Sequence, residues 1–155
     1  MTTGSFEAKQ LAEEGIELCR KGDWDLGIQL LGRIVEERGV SADLPGTAYS
    51  YLGFGVAKRQ RRIRDGLRLC EHAVKVQFYQ PDNHWNLARV RLLANDRRGA
   101  VQSIARGLKL EPNHPGLRGL REEIGVRRRP ILPFLSRGSF LNRLLGRIRH
   151  DLRGD

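Results

Sequence analysis

The chain has 155 residues, 39% of them hydrophobic and 30% charged, enough for one domain with a sizeable core and ordinary for a water-facing globular protein. Its 28 basic and 18 acidic residues give a net charge of +10, which favours acidic partners, although the excess of arginine over lysine is equally what a GC-rich genome would produce. No apolar run approaches the roughly 18–20 residues that a membrane-spanning helix needs, and the opening "MTTGSFEAKQLAEEG" lacks the basic and apolar regions of a secretory leader, so the expected location is the cytoplasm.

In chain order, three stretches line up: "LAEEGIELCRKGDWDLGIQLLGRIVEE", "YSYLGFGVAKRQRRIRDGLRLCEHAVKV" and "HWNLARVRLLANDRRGAVQSIARGLKLEP". Each reads as two helix-length apolar patterns joined by a short polar turn. Small residues recur in each first helix (Gly15, Gly53, Ala88) and in each second helix (Gly27, Gly66, Ala100). A glycine inside a helix costs about 1 kcal/mol in propensity, so its recurrence implies two helix backbones that must approach closely. The unit spacing is 38 residues and then 35, with the extra length falling in "RGVSADLPGTA" and "QFYQP". Residues 116–126, "GLRGLREEIGV", continue with Leu117, Leu120 and Ile124 at helical spacing and read as a cap on the last unit. The "RRRP" that follows should end it.

These units resemble the tetratricopeptide repeat over roughly residues 8–115. The signs are Leu52-Gly53 and Leu87-Ala88 in the first helices, "GDW" at the first turn and "LKLEPNHP" closing the third unit. The sequence departs from the family pattern at Glu14, His84 and Arg91. The resemblance implies an all-α fold: a right-handed superhelix of about three helical hairpins, with the capping helix and a C-terminal amphipathic helix after it. The expected division is 1–126 for the repeat domain and 127–155 for the arm.

Nothing catalytic is expected. "GFGVAK" lacks the spacing of a phosphate-binding loop and lies within a helical pattern, Glu122 and Glu123 are neighbours pointing apart, and no nucleophile–base spacing can be argued. Cys19 and Cys70 show no metal-ligand spacing and read as small buried hydrophobes, while the four histidines are scattered. No cofactor and no metal is expected.

The family resemblance instead places a partner-binding groove on the first helices. Its lining would come from Ile16, then Tyr51 and Phe54, then Trp85, Arg89 and Leu92, with Ala12, Cys19, Ser50 and Ala57 beside them. Such an apolar lining suits an amphipathic helix or hydrophobic peptide from a protein partner. It is equally suited to a covering segment of the same chain. Family members that grip the acidic tails of heat-shock chaperones use Lys, Asn and Arg at places occupied here by Ala12, Ile16, Tyr51, Asp82 and Asn86. The charges that would hold two carboxylates are missing, and Asp82 would repel them.

The hairpin turns carry Arg20 and Lys21 in the first unit, Lys58, Arg59, Arg61, Arg62 and Arg64 in the second, and Arg97 and Arg98 in the third. Stacking would align them into a basic edge, diluted by Asp23, Asp65 and Asp96. A solvated face is the plain reading. Without aromatic platforms or a groove-entering motif, the turns do not point to nucleic acid.

The chain closes on an arm. After Phe134, Phe140, Leu144, Ile148 and Leu152 recur every four residues, joined by Leu141 and Leu145, opposite a face rich in arginine. Six such side chains, even half covered, would contribute on the order of 5–9 kcal/mol, so the stripe is expected to dock. Its candidate surfaces are the repeat array, a protein partner or, as the alternative, an anionic membrane or polyanion. The ending resembles those of small bacterial repeat proteins. Together these readings make the chain a non-catalytic scaffold or adaptor.

Overall fold

The computed structural model describes residues 3–39 and 44–125, and Met1–Ile124 form one compact unit. The expected boundary after residue 126 and the expected docking arm (Phe134, Phe140, Leu141, Leu144, Leu145, Ile148, Leu152) lie outside the described residues. The described residues are helical, with no strand among them: α1 (Thr3–Lys21), α2 (Trp24–Arg38), α3 (Gly46–Arg59), α4 (Ile63–Val76), α5 (Pro81–Leu93), α6 (Arg97–Leu110) and α7 (Pro115–Glu123). None of these helices is long and apolar enough to cross a membrane.

One local turn is used three times. A residue with positive φ leaves the first helix of each hairpin: Gly22 (96°), Arg61 (57°) and Asn95 (59°). The next residue, Asp23, Arg62 or Asp96, is the N-cap of the second helix. The backbone N–H of that residue reaches back to Leu18, Val56 or Arg91, satisfying a carbonyl at the preceding helix end. Asp23 and Asp96 also accept from Leu26 N and Gly99 N, whereas Arg62 offers no side-chain cap. "GD" and "ND" are thus the sequence marks of the turn, and the middle unit has lost both.

The hairpins pair as α1/α2, α3/α4 and α5/α6, and the small residues sit where backbones meet. A Cβ on Gly66 would lie 2.5 Å from the Gly53 carbonyl oxygen, and one on Gly27 would lie 2.9 Å from that of Gly15. Side chains of any size there would force the helices apart. The hairpins then stack, with α3 packed against α1, α2, α4 and α5. Hydrophobic clusters fill the α1–α2–α3, α3–α4–α5 and α5–α6–α7 junctions, with Leu31, Cys70 and Leu117 respectively among their fully buried members. Cys19 and Cys70 are buried free thiols, and burial, with the Asp23 charge adding to it, pushes Cys19 up to about 11.

Polar side chains finish the inter-hairpin joints. Buried Asn83 donates from Nδ2 to the Ala73 carbonyl (3.2 Å) and the Gln77 carbonyl (2.9 Å), tying α5 to the end of α4. Arg91 donates to Gly99 O (3.0 Å) and Ser103 Oγ (2.9 Å) and pairs with Glu71 at 3.7 Å, so one guanidinium links α4, α5 and α6. α7 starts at Pro115, and His114 caps it by accepting from Leu117 N at Nδ1 (3.1 Å).

Candidate partner-binding face

Because α3 is surrounded on four sides, nearly all of it is buried. The expected groove residues Ile16, Tyr51 and Phe54 are only 5%, 2% and 3% exposed, and Ala12, Cys19, Ser50 and Ala57 are buried with them. These positions therefore contribute mainly to the core, with Phe54 alone among them also lining an open cleft. Trp24, at the start of α2, adds to the cover, stacking on Tyr51 at 6.2 Å and meeting Phe54 edge-on at 5.1 Å. Trp85, Arg89 and Leu92 on α5 are half-buried and keep accessible surface.

Two distinct environments result. The first is polar and satisfied. Asp82 Oδ2 accepts from Arg20 Nη2 (2.7 Å) and Tyr51 Oη (3.1 Å), and its Oδ1 accepts from His114 Nε2 (2.9 Å). Since His114 Nδ1 is an acceptor, its proton sits on Nε2, the nitrogen that faces the carboxylate. Burial alone would raise the Asp82 carboxyl, but the hydrogen bonds from Arg20 and His114, then the Arg20 charge and the Tyr51 hydroxyl, outweigh it and hold it below the ordinary range. Burial, and then the Asp82 charge, pushes the Tyr51 phenol up to about 12, and the bond to Asp82 raises Arg20. A single carboxylate joins α1, α3, α5 and the turn before α7.

The second environment is a cleft of about 500 Å³ between α3, α5 and α7, lined by Phe54 and Lys58, by Trp85, Arg89, Leu92 and Leu93, and by Gly116, Gly119, Leu120 and Glu123. Arg89 lies across its aromatic floor, with Cζ 3.3 Å from the Phe54 ring centre, 4.3 Å from Trp85 and 5.4 Å from Trp24. Its Nη1 donates to Asn86 Oδ1 (3.1 Å), and Asn86 donates in turn to Ser50 Oγ (3.3 Å). Arg89 forms no ion pair among the described residues. Burial therefore pulls its guanidinium down to about 10, against the longer-range pull of Tyr51, Cys70 and Glu123. Lys58 adds a second cation, 5.6 Å from the Phe54 ring.

The turn arginines divide by partner. Arg20 is committed to Asp82 and Glu17 rather than to an edge, Arg59 pairs with Asp25 (3.6 Å), and Arg62 pairs with Asp65 (2.8 Å). Arg97 donates to the Ile124 carbonyl beside Glu123 of the cleft. Lys21, Arg61, Arg64 and Arg98 are exposed and form no ion pair among the described residues. A larger cleft, about 1350 Å³, opens between α2, α3 and α4, and the Arg59–Asp25 and Arg62–Asp65 pairs at its margin already balance one another. Sequence reasoning missed Trp24 and the α7 wall of the smaller cleft, and it assigned Lys58 to the turn edge rather than to the cleft that it lines. The aromatic immediately after the first turn's Gly-Asp was the available signal for Trp24.

No family model matches the sequence, and no curated protein matches it. Solved structures do. The chain is similar to the first TPR domain of Spaghetti (RPAP3), solved bound to an HSP90 peptide, SRMEEVD, with a TM-score of 0.61, 17% identity and 78% of this chain matched to 92% of that one. It is similar to the TPR domain of Arabidopsis OM64, with a TM-score of 0.61, 14% identity and 78% of this chain matched to 97% of that one. It is also similar to the Sgt2 TPR domain of Aspergillus fumigatus, with a TM-score of 0.57, 17% identity and 92% of this chain matched to 95% of that one. At such identities the likeness is one of fold, and the fold is that of tetratricopeptide-repeat domains.

Proposed function

We propose that this chain, with its tetratricopeptide fold, is a non-catalytic adaptor that binds a protein partner through the cleft between α3, α5 and α7. The observation that carries the reading is the half-buried set Trp85, Arg89 and Leu92 facing an open cleft that Phe54 also lines, while Ile16 and Tyr51 are spent on the core. A cleft of this size, with aromatic walls and few polar groups, fits anchor side chains of a peptide or helix. The HSP90 peptide held by the RPAP3 domain illustrates what the fold can do, but the position that would have to accept an acidic tail here, Asp82, is itself a carboxylate already satisfied by Arg20, Tyr51 and His114.

The amphipathic stripe that the sequence places in residues 140–152 supplies the second contact of the same assembly. The test is capture of partners from native cells by tagged full-length chain, read by mass spectrometry, against Trp85→Ala, Leu92→Glu and a chain ending at residue 126. Partners lost with either cleft variant support the reading. Partners retained by both cleft variants and lost only on truncation would transfer the function to the arm, and binding to anionic vesicles through that arm would then favour the membrane alternative.

A further inference from the structure

We infer that the α3–α5–α7 cleft is the docking site for an acidic segment of the partner protein, which sets one carboxylate on the Arg89 guanidinium and an apolar side chain against Trp85 and Leu92. This rests on the adaptor reading and names the chemistry of its ligand. Arg89 carries the argument. Its guanidinium carbon lies 3.3 Å from the Phe54 ring centre and 4.3 Å from that of Trp85, and of its N–H donors one meets Asn86 while none meets a carboxylate among the described residues. A guanidinium normally enters such a desolvated place with its counter-charge. Glu123 lines the same cleft and pulls on Arg89 only at longer range, forming no ion pair with it.

The cleft's own lining is net basic, with Lys58 and Arg89 against Glu123. Lys58 has no carboxylate partner among the described residues, and beyond it Arg61 in the turn and Arg64 in the first turn of α4 are exposed. At the α7 end, Arg97 donates to the Ile124 carbonyl and meets no acid among the described residues, and Arg98 is exposed. The larger cleft offers no such imbalance, since two arginines at its margin have acidic partners. A ligand with acids flanking an apolar anchor matches both charge and lining. A wholly apolar one would leave the Arg89 charge buried and unpaired.

The test uses full-length protein and two dye-labelled synthetic peptides read by fluorescence anisotropy: one with leucines flanked by glutamates, the other with every glutamate replaced by glutamine. The expected result is that the acidic peptide binds roughly tenfold tighter or more, as a charge-assisted contact in a desolvated site implies, and that the margin shrinks with added salt. Arg89→Gln should abolish the margin. Lys58→Glu, which leaves the aromatic stack in place, should reduce it even if Arg89→Gln proves poorly folded. Equal binding of the two peptides overturns the inference while leaving the adaptor reading to the partner-capture experiment. So does failure of both peptides to bind, or a margin unchanged in Lys58→Glu and in a folded Arg89→Gln. Phosphatidylserine vesicles or heparin displacing the acidic peptide with the same Arg89 dependence would overturn it in favour of a polyanion.

Discussion

Replacing Gly66 with alanine sets two effects of the same methyl group against each other. Within an isolated helix the change is favourable by up to about 1 kcal/mol, because alanine has less backbone freedom to lose. In the hairpin the new Cβ would sit 2.5 Å from the Gly53 carbonyl oxygen and 2.7 Å from the Ala57 Cβ. Neither neighbour is the far end of a flexible side chain, so relief requires α3 and α4 to separate. Inserting a methyl group into such packing costs about 1–3 kcal/mol, and here separation would also disturb Cys70, whose sulfur lies under Gly53. At the midpoint of that packing cost, about 2 kcal/mol, subtracting a helix-propensity gain of about 1 kcal/mol leaves a net loss of about 1 kcal/mol. Gly119 is the matched control: it is also helical, and a Cβ there meets nothing within 4 Å, so Gly119→Ala should stabilise by about 0.5–1 kcal/mol. Urea denaturation followed by far-ultraviolet circular dichroism measures both. If Gly66→Ala were neutral or stabilising like Gly119→Ala, close helix approach would not be the reason for glycines at these places.

Three further outcomes are expected. Asn83→Ala removes the side-chain donor to the Ala73 and Gln77 carbonyls, which keep only the backbone N–H groups of Gln77 and Gln80, and the loss of two hydrogen bonds should lower stability by about 1–3 kcal/mol in the same denaturation assay, whereas a loss below a few tenths would mean water replaces the amide readily. Because the folded Asp82 carboxyl is held below its ordinary value of 3.8, its contribution is complete above that pH and is lost as pH falls toward the folded value. The stability gap between wild type and Asp82→Asn should therefore narrow below about pH 4, and parallel pH curves would refute the cluster's role. His84 is buried with Nε2 on the Phe78 carbonyl (2.7 Å), and burial holds it below its ordinary 6.5, so it favours folding most when both states are neutral. Stability should fall as pH drops below 6.5, and that part of the slope should vanish in His84→Phe.

Much of the architecture could be read directly, because it follows from short-range rules. Apolar residues at helical spacing mark the helices, Gly-Asp and Asn-Asp mark two of the three turns, and glycines recurring at Gly15 and Gly53 and at Gly27 and Gly66 mark where helices must touch. Each of these signals depends only on neighbours along the chain or on a repeat of the same unit. The candidate site was legible only in part. Periodicity identifies an apolar stripe on α3 but cannot count how many helices will cover it, and four do, which is why Tyr51 and Phe54 are core.

Asp82 shows the same limit from the polar side. Along the chain it is an acid where a cation would be sought; in the fold it is the acceptor for Arg20, Tyr51 and His114, which come from other helices and from the turn before α7. Arg89 is an ordinary helix arginine until Trp24 from the first hairpin and Phe54 from the second are brought beneath it. The linear sequence settled that the chain builds helical hairpins with glycine contacts and polar turns, since those are properties of one segment or its copies. Only tertiary structure decided which surface remains open and where charge is left uncompensated, because burial and ion pairing depend on side chains that are distant in sequence and adjacent in space.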